Sequence, residues 1–139
     1  MTHKYQPVNP AQNPRFAGIR TFMRLPYERN VEDIDFAIVG VPFDTAASFR
    51  AGTRFGPEAI RNVSPLIRTY SYEYQIDIFK YIRGIDYGDV PVIPGDIQET
   101  YKRIEDELTP LIEKNITPIV LGGDHSITLA ELRAIAKKY

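Results

Sequence analysis

The chain has 139 residues, of which 43% are hydrophobic and 25% charged, a balance typical of a folded globular domain that excludes disorder over most of the length. Its 17 basic and 18 acidic residues give a formal net charge of −1, so the charge balance gives no support for nucleic-acid binding. Cysteine is absent, which excludes disulfides, thiolate zinc sites and cysteine nucleophiles. No stretch matches a signal peptide or a membrane helix, so we expect a soluble, cytoplasmic protein with no membrane partner.

Residues 1–33 predict an irregular N-terminal arm, because prolines and asparagines are frequent and a short apolar patch at 19–25 ends at Pro26. Such an arm either extends over the surface of its own subunit or packs over a site or a partner subunit.

Three apolar segments predict strands of a parallel sheet. Residues 36–41 form a continuous apolar run with β-branched side chains, which is typical of a strand buried on both faces. Residues 82–90 and 116–121 are the second and third candidates. Helical patterns separate the three segments, so the chain reads as one α/β domain, or part of one, with a doubly wound sheet.

The helical segments carry three local predictions. Residues 57–61 have proline and then an acidic residue at the start of a helix, where both are favoured. Residues 101–112 have the spacing of an amphipathic helix, which Pro110 should kink or divide. Thr128 and Glu131 have the form of a capping box at the start of the last helix.

Ligands of open α/β sheets bind beyond the carboxyl ends of the strands, which directs attention to three loops. Residues 42–56 follow the first strand, Gly88 and Asp89 end the second, and residues 122–126 follow the third. The glycine-rich motif of dinucleotide-binding proteins, the P-loop and the nucleophile elbow of serine hydrolases are all missing from the sequence.

The third loop has the composition of a ligand site. Gly122 and Gly123 are expected to let the backbone turn sharply, which delivers Asp124 and His125 side by side at the edge of the sheet. His125 is one of 2 histidines, the other being His3 in the arm, and imidazole is a common metal ligand. From spacing alone, a hydrogen-bonded loop histidine is the commoner explanation.

Two further groups of residues have a structural and a functional interpretation. Arg50, Arg54 and Arg61 could bind an anionic ligand, but the favoured interpretation is that they brace loops through carboxylates and carbonyls. Tyrosines at alternate positions 70, 72 and 74 indicate one face of an extended segment, and a role in stacking against a substrate is the less favoured alternative.

Four motifs, taken in chain order, carry a family resemblance. They are Phe22–Pro26, Gly40–Asp44 with Arg50–Arg61 after it, Asp86–Val90, and Gly122–Ser126. In this order and spacing, the chain from about residue 16 to its end resembles the ureohydrolases, the arginase and agmatinase family, and most closely the agmatinase branch.

The resemblance implies a fold and an activity. It implies a three-layer αβα architecture, with a doubly wound, mostly parallel sheet and helices on both faces, of which residues 34–139 would be the N-terminal part. It implies Mn²⁺-dependent hydrolysis of a guanidino C–N bond, converting agmatine and water to putrescine and urea through a hydroxide that bridges two Mn²⁺ ions. It also implies a homo-trimer or homo-hexamer, with agmatine as the small-molecule partner.

The resemblance also assigns roles to individual residues. His125 matches the first metal-binding histidine of the family. Its neighbours are assigned to the shaping of the loop: Asp124, Ser126, Gly122 and Gly123. A candidate entrance loop contains Asp44, Arg50 and Arg54.

One ligand does not make a dinuclear site. In the family the second motif, Asp-x-His-x-Asp, and the third, Asp-x-Asp, both follow the first, and this sequence has no aspartate after Asp124. We therefore assign no catalytic residue within the chain and predict that the 139 residues alone are inactive. Two alternatives stay open: a guanidinobutyrase or related guanidino-acid ureohydrolase, and a short non-catalytic paralogue that binds a full-length relative.

Overall fold

The computed structural model describes residues 4–139, so His3 lies outside the described residues. Every predicted strand and helix is present, with bounds shifted by a few residues. The strands are β1 (Phe36–Val41), β2 (Tyr70–Ser71), β3 (Ile76–Asp77), β4 (Gly84–Asp89) and β5 (Thr117–Gly122). The helices are α1 (Gly56–Val63), α2 (Ile97–Glu113) and α3 (Thr128–Ile135).

The central sheet has three parallel strands in the order β4-β1-β5, which places the most apolar strand in the middle. Five of the six residues of β1 are buried, as expected for a strand covered on both faces. The register between β1 and β4 shifts once, between Ile38 and Val39, where Tyr87 is the extra residue of a bulge. The strands β2 and β3 form a separate two-stranded hairpin.

Side chains alternate between two layers along β1. Ala37, Val39 and Val41 belong to a core that α2 and α3 complete. Ile38 points to the other face, where it belongs to a smaller core with Leu25 of the arm. The sheet therefore carries packed layers on both faces, as the predicted three-layer αβα architecture requires.

Pro110 does not divide α2, so of the two predicted effects, a kink or a division, the division is wrong. Helix α2 continues through Pro110, which lies on the exposed side of its last turn, where the carbonyl it leaves without a donor can bind water. Helix α3 has no capping box, because a 3₁₀ turn at His125–Ile127 runs directly into it and Ile127 occupies the cap position. Asp124 caps the 3₁₀ turn instead, since its side chain accepts a hydrogen bond from the Ser126 amide nitrogen.

The interpretation of the three tyrosines as one face of an extended segment is also wrong. Tyr70 lies in β2, but Tyr72 and Tyr74 lie in the turn that joins β2 to β3. The rings of Tyr70 and Tyr72 pack edge to face, with 5.1 Å between their centroids.

The arm packs on the body of its own chain. Tyr5 contributes to the larger core, and Met23 and Leu25 contribute to the smaller one. Its backbone is irregular, with a single 3₁₀ turn at Phe22–Arg24. None of the helices within residues 4–139 is long and apolar enough to cross a membrane.

Candidate metal-ligand segment at the carboxyl edge of the sheet

Asp124 organises the loop that follows β5. One carboxylate oxygen accepts hydrogen bonds from the amide nitrogen of Ser126 at 2.9 Å and from its hydroxyl at 2.5 Å. The other oxygen accepts from the amide nitrogen of Ala46 at 2.9 Å. The Asp124 amide nitrogen donates to the carbonyl of Phe43 at 2.8 Å. Asp124 thereby shapes its own turn and ties it to the loop that follows β1.

Gly122 and Gly123 provide room at the bend that follows β5, rather than an unusual backbone conformation. Neither is among the positive-φ glycines of residues 4–139. A Cβ on Gly123 would lie 2.5 Å from the Val41 carbonyl oxygen, and one on Gly122 would lie 2.7 Å from Ile127 Cδ1. Similarly, a Cβ on Gly56 would lie 2.6 Å from the Gly122 carbonyl oxygen. The loop and the start of α1 therefore approach more closely than side chains permit.

His125 opens the 3₁₀ turn and is exposed. Its imidazole makes no hydrogen bond that the structure records within residues 4–139, so both ring nitrogens are available to a ligand. Glu131, one turn into α3, is half-buried nearby; burial raises the pKa of its carboxyl, and the charge of His125 partly offsets this. Within the described residues, no group of three His, Cys, Asp or Glu side chains could hold a metal ion. The segment therefore offers one candidate ligand, and the described residues do not complete a site around it.

The loop after β1 closes on Asp44. This carboxylate is buried and accepts hydrogen bonds from the Gly52 amide nitrogen and from Arg54 Nε, both at 2.6 Å. The hydrogen bond from Arg54 lowers the pKa of Asp44 to about 2, against the opposing effect of desolvation. Arg54 makes the expected bracing contact. Arg50 does not, because it is exposed and its guanidinium lies 5.2 Å from the centroid of the exposed Phe49 ring.

The end of β4 does not join the His125 segment. Arg61 of α1 donates to Asp89 at 2.5 Å and to both oxygens of Asp86 at 2.8 and 2.9 Å. Arg61 therefore braces the sheet, as the favoured interpretation of the arginines expected. The loop that follows β4 does contact the loop that follows β1, because the Gly95 amide nitrogen donates to Thr45 Oγ1 at 3.2 Å.

Sequence reasoning did not single out Asp86, although a signal was present. Asp86 is 1% exposed in a strand whose neighbours Ile85 and Tyr87 are buried in the core. A carboxylate inside an apolar strand requires a buried partner, and Arg61 was the available cation.

The sequence model of the arginase family matches residues 34–139, which is most of the chain. This chain belongs to the arginase family. Within the family, it is 42% identical to the guanidinobutyrase of Pseudomonas aeruginosa over 138 residues, covering 97% of this chain and 43% of that protein.

Two solved structures share the fold. Proclavaminate amidino hydrolase from Streptomyces clavuligerus superposes with a TM-score of 0.85 at 38% identity, covering 91% of this chain and 42% of that one. A hypothetical agmatinase from Burkholderia thailandensis superposes with a TM-score of 0.87 at 32% identity, covering 100% of this chain and 43% of that one. The present chain thus spans about two fifths of the length of these relatives.

Proposed function

We propose that these 139 residues are the N-terminal part of an arginase-family enzyme that hydrolyses a guanidino C–N bond and releases urea. The observation that carries the proposal is the exposed His125 imidazole at the carboxyl edge of the sheet, in a turn that Asp124 holds. Family membership supports it, because the relatives that match are named as amidino hydrolases and related guanidino enzymes.

Two substrates compete within this proposal. Agmatine, which would give putrescine and urea, is favoured by the agmatinase-like loop at Arg50–Arg61 and by the similarity to a hypothetical agmatinase. A guanidino acid such as 4-guanidinobutyrate is the second candidate, because the guanidinobutyrase relative has the higher identity of the two. These molecules differ in the charge of the tail, since agmatine carries an ammonium and the guanidino acid a carboxylate.

The proposal includes Mn²⁺ as the cofactor, with His125 as one of its ligands. Carboxylate oxygens and imidazoles suit Mn²⁺, and bound divalent ions activate water for attack on a poor electrophile. Residues 4–139 contain no complete ligand cluster, so by themselves they do not fit a dinuclear site. In this arrangement Asp124 and the Asp44 loop position the His125 turn. A cytoplasmic location and a homo-trimer or hexamer remain parts of the proposal.

The activity is tested with the protein encoded by the complete reading frame that contains these residues. With Mn²⁺ and either agmatine or 4-guanidinobutyrate, we expect urea release, and the ratio of kcat/KM values identifies the substrate. His125→Ala should lower both Mn²⁺ occupancy and kcat/KM by at least about 100-fold. His3→Ala, which removes the other histidine, is the matched control. Unchanged activity and metal content in His125→Ala would remove His125 from the metal site.

The 139-residue chain alone is expected to release no urea. Sustained turnover of agmatine that His125→Ala abolishes would contradict this expectation. The coding sequence beyond Tyr139 separates the main proposal from the non-catalytic alternative. An in-frame continuation into an Asp-x-His-x-Asp motif supports the enzyme, and an immediate stop codon supports a short protein that binds a full-length relative.

A further inference from the structure

A cleft of about 470 Å³ lies between the N-terminal arm and the segment that follows α1. Three of its lining residues are arginines, Arg15, Arg24 and Arg68, and none of its lining residues is acidic. Prolines, aliphatic side chains and Tyr70 form most of the remaining wall. Such a volume is typical of sites for small molecules.

The three arginines differ from most others in the chain. Of 11 arginines, six form ion pairs with carboxylates, namely those at positions 29, 54, 61, 83, 103 and 133. Arg15, Arg24 and Arg68 form no ion pair that the structure records within residues 4–139. Three of the five arginines without a recorded carboxylate partner in residues 4–139 thus line one cleft, where their positive potentials add.

Arg24 is the centre of this arrangement. It is only 5% exposed, and its guanidinium donates to the backbone carbonyls of Val8, Asn13 and Pro14 at 2.7 to 3.0 Å. Carbonyl dipoles orient the group but supply no negative charge, and a buried cation without an anion is unfavourable. The Nε–H makes no recorded hydrogen bond. Because no buried side-chain nitrogen of the described residues lacks a partner, this Nε–H is reached by solvent.

The guanidinium groups of Arg15 and Arg68 use only one of their N–H donors each in recorded hydrogen bonds. Arg15 donates through Nη1 to the carbonyl of Pro65, and Arg68 donates through Nη1 to the Tyr72 hydroxyl at 3.1 Å. Each guanidinium carries five N–H donors in a planar fork that matches the oxygens of a carboxylate or a phosphate. Donors therefore remain available on all three arginines.

The cleft is separate from the His125 segment. It contacts Pro65 and Leu66 just beyond the C-terminal end of α1, whereas Gly56 at the other end of α1 contacts Gly122. An eight-residue helix is about 12 Å long, so the two places lie at opposite ends of α1. The adjoining groove contains one acid, Asp77, whose carboxylate accepts from the Phe79 amide nitrogen.

We propose that the cleft formed by Arg15, Arg24 and Arg68 binds a small oxyanion with at least two negative charges, carried by carboxylate or phosphate groups. The oxygens accept hydrogen bonds from the three guanidinium groups and supply the negative charge that the buried Arg24 lacks. The apolar wall accommodates a short carbon skeleton. The site is independent of guanidine hydrolysis and is present in the 139-residue chain itself.

The test measures binding to the 139-residue chain by isothermal titration calorimetry and by the shift in Tm. Inorganic phosphate, succinate and citrate are the probes, each compared with chloride at the same ionic strength. Saturable binding and a raised Tm are expected with at least one probe. Phosphate binding without succinate or citrate binding identifies a phosphate site, and the reverse identifies a carboxylate site.

Arg68→Gln and Arg15→Gln should each weaken binding about tenfold, since each removes a charge-assisted hydrogen bond. Arg50→Gln is the matched control, because Arg50 also forms no ion pair in the described residues and does not line the cleft, and it should bind like the original chain. Arg68 is exposed and Arg15 is half-buried, so folding, monitored by circular dichroism, is expected to persist. Two results overturn the proposal: no saturable binding beyond chloride with any of the three probes, or equal weakening in Arg50→Gln.

Discussion

The two edges of the central sheet are completed differently. Along β4, the chain's own arm adds a segment in which Pro26 accepts from the Asp86 amide nitrogen at 2.9 Å and Glu28 donates to the Asp86 carbonyl at 3.1 Å. Along β5, no strand of residues 4–139 pairs with the outer side. Four residues of β4 are buried in succession, whereas Thr117 and Ile119 of β5 are exposed.

The two edges therefore differ in role: the β4 edge contributes to the stability of the fold, and the β5 edge leads to the candidate ligand. The closed β4 edge contains the buried ion pair of Arg61 with Asp86, while the open β5 edge leads into the His125 loop. An open strand edge presents backbone groups that can pair with another segment. Helix α3, which packs on α2, also has exposed apolar residues: Leu129, Leu132 and Ile135. We therefore expect substitutions near β4 to reduce the free energy of unfolding and substitutions near β5 to affect assembly.

The largest effect is expected from Asp86→Asn. The substitution removes the charge that balances Arg61, a group with a side chain only 10% exposed, and breaking a buried pair costs about 3–5 kcal/mol. Urea denaturation of the 139-residue chain measures the change. Asp89→Asn is the control, because the Asp89 side chain is 45% exposed and a screened pair contributes about 1 kcal/mol or less. Equal losses in both variants would show that burial does not govern the network.

The second-largest effect is expected at Gly40, where the ion pairs of Arg61 leave no room for a side chain. A Cβ on Gly40 would overlap the Asp89 carboxylate and lie 3.0 Å from Arg61 Nη1. Gly40→Ala should therefore cost about 1–3 kcal/mol, as overpacking does. In an Asp89→Ala background the nearest obstructing atoms are gone, so the same substitution should cost less, by about 1 kcal/mol. Additive effects in this double-mutant cycle would contradict the proposed conflict between the two side chains.

The sequence predicted features that depend on residues within one segment, and it did not predict contacts between residues far apart in the chain. Strand β1 follows from its continuous apolar run and helix α2 from the spacing of its apolar residues, and both are present where those patterns place them. The Arg61–Asp86 pair joins residues 25 apart, and the hydrogen bond from Ala46 to Asp124 joins residues 78 apart. Arg50 and Arg54 are the same residue type four positions apart, yet only Arg54 reaches Asp44. Such contacts depend on the tertiary path of the chain, which no local period encodes.

The loop that follows β1, which Ala46 ties to Asp124, gives a smaller, pH-dependent effect. Asp44 has its pKa lowered from 3.8 to about 2, chiefly by the hydrogen bond from Arg54. A lowered pKa means that the charged form stabilises the fold, so this contribution is complete above pH 4 and is lost as the pH falls toward 2. The Arg54 side chain is 42% exposed, so solvent screening keeps the effect modest.

Tm values between pH 2.5 and 7 measure this contribution. Asp44→Asn should be less stable than the original chain at pH 7, and the gap should close toward pH 2.5. Asp106→Asn, at an exposed position of α2, should show no such convergence. A gap that stays constant across this pH range would mean that the charge of Asp44 does not stabilise the loop.

The smallest change in stability is expected at the open edge itself. Ile119 is 44% exposed and lies opposite Ile38 in the register, which is fully buried. Ile119→Lys should change the free energy of unfolding by no more than about 0.5 kcal/mol, because the side chain already reaches water. The same substitution should reduce self-association of the 139-residue chain in sedimentation velocity, since a lysine on an edge strand disfavours pairing with another chain. Ile38→Thr is the buried counterpart and should cost several times more, as it places a hydroxyl in a core. A large loss in Ile119→Lys, comparable to that in Ile38→Thr, would mean that the β5 edge is already covered within this chain and that the two edges do not differ.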